Sequence, residues 1–526
     1  MSLSIVVSAI LVLVNAYIAR VLFNRNPAPL PPGPKGWPIV GNIADLPKEG
    51  GQDWLHWLQF KEKYGPISSI TVMGQTLVIL NDAKPAVGLF ERRSAIHSSR
   101  PYLTFAGDMV GWAHGLALLP YSNRFRAYRK NMHRLLGSKV SASRFNSLQE
   151  VEVRRFLLRI LRNPGDLLQH IRTEAGAVIL KIAYGYTIEP HTNDPLVDLA
   201  NDAVDKFSIA AKPGTWLVDI MPFLKHIPLW FPGAGFKRNA MKWRNQIFEV
   251  AEKPFVFVKD QMKQGTQTPS FLSALLDAGI PPANSEEEIV ARWSAGSLYT
   301  GGADTTVSSI ANFFMAMALY PDVQRKTQEE IDRVIGKDRL PTFDDQENLP
   351  YVNAVVKEVL RWHPVAPMGL PHTSTADDIY EGYFIPKGSI VMPNIWAFLH
   401  DPTIYHDPMT FTPERFLDSD AHTAEPDPHR MAFGFGRREC PGKLLADRTI
   451  FITVAQSLTV FNINKVVENG KEVDISPEVM PGVISHPVPY RVDIKPRSEV
   501  HEGLIKSVEV EHPWEKSHAP LLNINH

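Results

Sequence analysis

The chain has 526 residues, 44% hydrophobic and 21% charged, a globular balance that excludes a disordered polypeptide. Its net charge of −1 excludes a bulk electrostatic pull toward nucleic acid. One cysteine in the whole chain excludes an intramolecular disulfide framework and a cysteine-rich zinc site.

Residues 1–19, MSLSIVVSAILVLVNAYIA, carry no charged side chain, and Arg20 and Arg25 follow them. About 20 mainly apolar residues span a bilayer. The competing reading, a cleaved signal peptide, lacks its positive n-region. Residues 1–23 are therefore expected to be a membrane anchor, with the arginines holding the downstream chain on the cytosolic side. Five prolines between Pro27 and Pro34 then make residues 24–42 a stiff, extended hinge. The alternating, β-branched stretch 65–82 predicts a hairpin turning near Met73-Gly74.

From about residue 140 to 363 helical patterns dominate. EEEIVARWSAGSLYTGGADTTVSSIANFFMAMALYP predicts one long helix ending before Pro321, and PDVQRKTQEEIDRVIG predicts an amphipathic one ending at Gly336. Residues 373–395 return to short strands and turns. No internal linker marks a second soluble domain. The expected fold class is mainly α with small β-sheets (α+β): one large domain over residues 43–497, with a polar, peripheral tail over 498–526.

Within that domain, MAFGFGRRECPGKLLAD (residues 431–447) holds Cys440. A lone cysteine is either an inert buried thiol or a working thiolate. Its flanks are Phe433, Gly436, Arg438 and Gly442, a set that arises by chance roughly once in 10⁵. A helical pattern, KLLADRTIFITVAQSL, follows, and a helix N-terminus stabilises a thiolate. Gly301-Gly302-Ala303-Asp304-Thr305-Thr306 lies in mid-helix, where two glycines cost about 2 kcal/mol relative to alanine. Glu358 and Arg361 share a helix face, and Phe411-Thr412-Pro413-Glu414-Arg415-Phe416 follows 50 residues on. Phe125-Arg126-Ala127-Tyr128-Arg129-Lys130 is strongly basic.

The cysteine segment matches F-x-x-G-x-R-x-C-x-G and resembles the haem-binding signature of the cytochrome P-450 (haem-thiolate monooxygenase) family, eukaryotic microsomal type. The other motifs appear in that family's order, so the resemblance covers nearly the whole chain. It implies the P-450 fold, haem b (iron protoporphyrin IX) and Cys440 as axial iron ligand. Haem-contacting residues would be Phe433, Gly434, Gly436, Arg438 and Gly442, with propionates held by Arg129, Arg126, Arg438 and His372. Phe125 stands where the family places a tryptophan, which removes an indole N–H donor. Asp304 and Thr305 would supply protons to bound dioxygen, with a local helix opening at Gly301-Gly302 to make room. Glu358, Arg361 and Arg415 would form a structural ion-pair cluster.

By the same resemblance, Trp112, Leu116, Trp216, Leu298, Val365, Met368 and Ile484 would line a pocket for a hydrophobic substrate. Trp216, Phe223, Trp230 and Phe231 would dip into the bilayer. A basic proximal face with Arg437, Arg438 and Lys443 would dock NADPH–cytochrome P-450 reductase, since the chain has neither a dinucleotide fingerprint nor an iron–sulfur cysteine set. The stretch 214–238 resembles fungal secondary-metabolism members. The expectation is therefore a monomeric, single-pass endoplasmic-reticulum enzyme, its catalytic domain cytosolic, hydroxylating a terpenoid-like skeleton. Alternatives are aromatic polyketides, fatty acids or xenobiotics as substrate. Others are isomerase, dehydratase or peroxygenase chemistry, or a non-catalytic haem-binding membrane protein. Asp304 and Thr305 argue for the monooxygenase.

Overall fold

The computed structural model describes residues 26–523, apart from Glu49, Pro213, Ala421 and His422. The expected anchor, residues 1–23, lies outside the described residues. Among the described residues no helix is long and apolar enough to cross a membrane.

After helix α1 (Asp53–Tyr64), strands β1 (Ile67–Val72) and β2 (Gln75–Leu80) pair antiparallel, Ile67 opposite Leu80. Met73 (φ 46°) and Gly74 (φ 86°) make the two-residue turn with both φ positive, as the hairpin reading predicts. The helical body comprises α2 (Asn123–Leu136), α3 (Asn146–Arg162), α4 (Leu167–Tyr184), α5 (Pro195–Ala210), α6 (Gly235–Gln264), α7 (Glu286–Leu319), α8 (Pro321–Val334) and α9 (Pro350–Trp362). Short strands β3 (His372–Thr373), β4 (Asp378–Tyr380), β5 (Tyr383–Ile385) and β6 (Ile390–Pro393) follow, then α10 (Lys443–Val460). Strands β1, β2, β6 and β3 form one sheet in that order, with β2 and β6 parallel.

Helix α7 is the central rod. Ser285 caps it by accepting from the Glu288 amide, and Glu286 to Glu288 place negative charge at its positive end. It is apolar around nearly its whole circumference, so it packs against α2, α4, α5 and α10 at once. Pro321 ends it by forcing Tyr320 out of helical geometry.

Two expectations are corrected. The proline-rich segment is no free hinge after residue 28. Ser69 donates to the Pro32 and Pro31 carbonyls (2.9 and 2.6 Å), and Phe384 donates to that of Pro29 (2.7 Å). It is a strap laid along β1, using backbone acceptors that proline retains. The tail is not peripheral either. In α11 (Glu499–Lys506) and the turn after it, Ile505 and Val508 are buried at helical spacing. Arg154 of α3 reaches Ser507 (2.8 Å) and Glu511 (2.7 Å).

Candidate active site

Cys440 sits three residues before Lys443, the first residue of α10, with Gly442 as the N-cap. Its amide donates to the Phe433 carbonyl (2.8 Å), which closes the loop 433–440 on itself. Cys440 is accessible, yet protein encloses it at longer range. Burial therefore pushes its thiol up, against the opposing pull of the Gly442 amide and the Arg129 guanidinium. The loop glycines have separate reasons. Gly436 (φ 53°) passes so near Phe90 that a β-carbon would lie 2.3 Å from the Phe90 carbonyl oxygen. Gly434 (φ 75°) needs only its left-handed conformation, and Gly442 leaves its N–H facing the sulfur.

Around this loop lie three guanidiniums held entirely by backbone carbonyls. Arg129 donates to Glu439 O (2.6 Å). Arg438 donates to Ser98 O (2.7 Å), Leu116 O (3.3 Å) and Leu119 O (2.7 Å), and its guanidinium lies 3.8 Å above the Phe125 ring. Phe125 thus offers a cation–π platform where the family pattern has an indole. Arg100, which sequence reasoning missed, donates to Ala117 O (2.9 Å), Leu370 O (2.7 Å) and Pro371 O (2.9 Å). Burial lowers the pKa of all three, that of Arg438 to about 9, and Arg438 further disfavours the charge on Arg100.

None of the three forms an ion pair with a carboxylate among the described residues, although the charge of Glu439 favours that of Arg129 at longer range. Clustered like charges, one buried and two half-buried, attract anions. Haem b, with two propionates and an iron open to a thiolate, fits this donor set. His372 stands on β3 beside them, its ring stacked on Phe90 (centroids 4.0 Å apart) and its Nδ1 2.6 Å from the His97 carbonyl. Burial, then the charge of Arg100, holds His372 well below the usual imidazole range.

Arg126 is not brought to this cluster. It is exposed, bonded to Asn123, and lies 5.8 Å from the Tyr121 ring. The helix period explains it: Phe125 and Arg129 share a face of α2, whereas Arg126 stands about 100° from Phe125. Arg437, also exposed, lies over the same Tyr121 ring at 5.1 Å. The outward basic patch is therefore Arg126, Lys130 and Arg437. Arg438 turns inward, and Lys443 is tied to Glu439 (3.0 Å).

The expected opening of α7 is absent: the helix runs unbroken through Gly301-Gly302. Gly302 is required by packing, because a β-carbon there would lie 2.7 Å from Ile179 Cγ1 of α4. A β-carbon on Gly301 would meet nothing within 4 Å. Thr305 Oγ1 donates to the Gly301 carbonyl (2.7 Å). Asp304 is buried; its Oδ2 lies 2.9 Å from His486 Nε2, and its Oδ1 has no partner. His486 is a second residue that sequence reasoning missed. Asp205 of α5 lies near this pair. Burial and the charge on Asp304 raise its pKa, whereas Arg172 and His486 lower it.

Glu358, Arg361 and Arg415 come together in one ion-pair cluster. Glu358 takes Arg361 bidentately (2.7 and 2.8 Å), Arg415 Nε (3.1 Å) and the Thr412 amide (2.8 Å), all deeply buried. Glu425, which no motif predicted, adds a second carboxylate at 2.7 Å from Arg415. The cluster carries two charges of each sign.

Trp112, Leu116, Trp216, Leu298 and Ile484 join one apolar cluster. Met368 belongs to a neighbouring cluster with Trp57, and Val365 accepts from the Ser485 amide (2.8 Å). A small cleft lined by Trp54, Trp57, Met368 and Val483 also has the Lys212–Asp53 ion pair (3.1 Å) in its wall. Trp216 is not available to a bilayer: it stacks on Phe105 at 3.6 Å. Phe223, Trp230 and Phe231 are exposed, as are Trp37 and Ile39.

Comparison with known proteins matches the Cytochrome P450 family model to residues 31–494. Cytochrome P450 monooxygenase ppsD of Aspergillus oryzae is 50% identical over 94% of each chain. Cytochrome P450 monooxygenase claR of Ampulloclitocybe clavipes is 50% identical over 95% of this chain and 92% of its own. O-methylsterigmatocystin oxidoreductase of Aspergillus flavus is 44% identical over 93% and 92%. Such a match implies haem b, an electron-supplying redox partner and a hydrophobic substrate. The chain belongs to the cytochrome P450 family and is an oxygen-incorporating oxidoreductase.

Proposed function

We propose that the chain is a membrane-anchored haem-thiolate monooxygenase that hydroxylates a hydrophobic, terpenoid-like intermediate of fungal secondary metabolism. The observation that carries this reading is the lone Cys440 at the head of α10, beside three enclosed guanidiniums that make no ion pair with a carboxylate. The balance is R–H plus dioxygen, two electrons and two protons giving R–OH plus water. The electrons come from NADPH through NADPH–cytochrome P-450 reductase.

Bound haem supplies the binding and activation of dioxygen. Cys440 Sγ would ligate its iron, on a loop shaped by Phe433, Gly434, Gly436 and Gly442. Arg100, Arg129, Arg438 and His372 take the propionates. With Nδ1–H donating to the His97 carbonyl, Nε2 is the nitrogen left to face a propionate; burial and the Arg100 charge disfavour imidazolium here, and the negative charge of a bound propionate would offset them. Gly301, where a β-carbon would meet nothing within 4 Å, would leave this face of α7 clear for bound dioxygen. Thr305 Oγ1 and Asp304 Oδ2 hand on protons that enter from His486 and the exposed Asp205. Glu358, Arg361 and Arg415 act structurally.

The apolar cluster of Trp112, Leu116, Trp216, Leu298 and Ile484, with Val365 and Met368, holds substrate by shape. Phe223, Trp230 and Phe231 rest in the bilayer that residues 1–23 span, at the endoplasmic reticulum with the catalytic body in the cytosol. Arg126, Lys130 and Arg437 face the reductase. The catalytic domain spans 43–497, preceded by the proline-rich segment 24–42 and followed by the C-terminal tail 498–526.

A second reading, an aromatic polyketide substrate, draws on the relative named for O-methylsterigmatocystin. The test is a spectral titration of the membrane-bound holoenzyme with a sesquiterpene, a diterpene, an aromatic polyketide and a long-chain fatty acid. A saturable Soret shift to shorter wavelength with terpenes, followed by reductase- and NADPH-dependent hydroxylation, is expected. A shift with the polyketide alone moves the substrate to the second reading. No shift and no turnover with any of them refutes the pocket assignment.

A further inference from the structure

A second, small pocket lies between α3, α4 and the C-terminal segment, and none of its lining residues belongs to the cysteine site. Its walls include Arg155, Arg159, Lys181, Thr187 and Trp514. Two of its cations are already paired. Arg155 holds Glu152 (2.6 Å) and the Pro513 carbonyl (3.3 Å), and Lys181 holds Thr187 Oγ1 (2.9 Å) and Glu515.

Arg159 is different. Its Nε, Nη1 and Nη2 are all buried, and none has a hydrogen-bond partner. The guanidinium lies 5.3 Å from the Trp514 ring, which also carries Arg155 at 4.8 Å. The indole Nε1 of Trp514 is itself buried without a partner. The remaining nearby carboxylate, Glu174, gives Oε1 to Thr453 (2.9 Å) and leaves Oε2 unpartnered. Burial raises its pKa to about 8 against the opposing pull of Thr453 and Arg159, and neither it nor Glu152 hydrogen-bonds the Arg159 guanidinium.

The pocket thus presents the five guanidinium N–H donors of Arg159, the Nε–H of Arg155 and one indole N–H, with no acceptor assigned to any of them. A buried, unpaired charge with unmet donors calls for a counter-ion. A fork of parallel N–H groups matches the spacing of two oxygens on one phosphorus or carbon.

We propose that this pocket binds a small soluble oxyanion, inorganic phosphate being the simplest, with Arg159 as its bidentate partner and Trp514 closing over it. Bound there, the anion clamps residues 513–515 onto α3 and α4.

The test is thermal unfolding of the full-length holoenzyme in Tris–chloride, titrated with inorganic phosphate against sodium chloride of equal ionic strength. The wild-type midpoint is expected to rise saturably with phosphate beyond the chloride control. Arg159→Gln is expected to need at least tenfold more phosphate for the same rise, with an unchanged carbon monoxide spectrum. No rise beyond chloride, or an equal rise in Arg159→Gln, overturns the site. If Arg159→Gln does not accumulate, Trp514→Leu on the terminal segment replaces it. A threefold or larger loss of phosphate affinity supports the site, and unchanged affinity overturns it. Protection by phosphatidic acid vesicles but not by inorganic phosphate would overturn the soluble anion in favour of a lipid headgroup.

Discussion

Replacing Glu358 with glutamine removes one negative charge from the cluster beneath the cysteine loop and keeps the side-chain shape. Glu358 accepts four hydrogen bonds: two from Arg361, one from Arg415 and one from the Thr412 amide. An amide in its place turns an N–H₂ toward at least one guanidinium donor. The two guanidiniums are then balanced by Glu425 alone, which bonds Arg415 and has no bond to Arg361. Removing one partner from a buried ion pair costs about 3–5 kcal/mol. At roughly 2.1 cal/mol/K of unfolding entropy per residue, that lowers the melting temperature of a 526-residue chain by about 3–5 °C. Glu425→Gln leaves Arg415 on Glu358 and the His406 carbonyl and is expected to cost about half as much. The assay is near-ultraviolet circular dichroism of both holoproteins during heating. A Glu358→Gln midpoint within 1 °C of wild type would refute the claim that this carboxylate anchors the cluster.

Three further outcomes are expected. Gly302→Ala pushes a methyl group onto Ile179 and destabilises by about 1–2 kcal/mol after the gain in helix propensity. Gly301→Ala meets nothing and stabilises by about 1 kcal/mol; equal signs in thermal unfolding would contradict the two separate reasons given for these glycines. His429 is lowered by burial but raised more by Asp427 and Asp447, to about 9. Because the folded value lies above the unfolded one, its stabilisation, on the order of 3 kcal/mol, is full below pH 6.5 and lost as pH rises to about 9. His429→Gln should flatten the stability profile across that window, and an unchanged profile would contradict the pairing. His486→Leu leaves both Asp304 oxygens unpaired, so peroxide released per NADPH consumed is expected to rise severalfold in a reductase assay. Unchanged coupling would remove His486 from the proton path.

Local pattern carried much of the fold. The hairpin at Met73-Gly74 was legible because two positive-φ positions follow an alternating run, and α7 because Ser285 and Pro321 bracket an apolar stretch. Glu358, Arg361 and Arg415 were legible through their motifs. Arg100, Glu425 and His486 were not, because each is an ordinary polar residue until distant segments close around it. Arg100 gains its role only from carbonyls at 117, 370 and 371. His486 gains its role from Asp304, 182 residues away in sequence. Arg126 was misplaced because its basic neighbourhood was read without the 100° step that separates it from Phe125. The helix at Gly301-Gly302 stays closed because the intrahelical hydrogen bonds outlast the low propensity of two glycines, one of which buries its bare backbone against Ile179.

The central claim is that Cys440 Sγ is the fifth ligand of a haem iron, and the most direct measurement is the difference spectrum of the reduced carbon monoxide complex. The chain has no other cysteine to substitute. Wild-type protein is predicted to show the thiolate-type, long-wavelength Soret band, and Cys440→Ser to lose it while still folding. A thiolate-type band surviving in Cys440→Ser, or absent from haem-loaded wild type, would contradict the account.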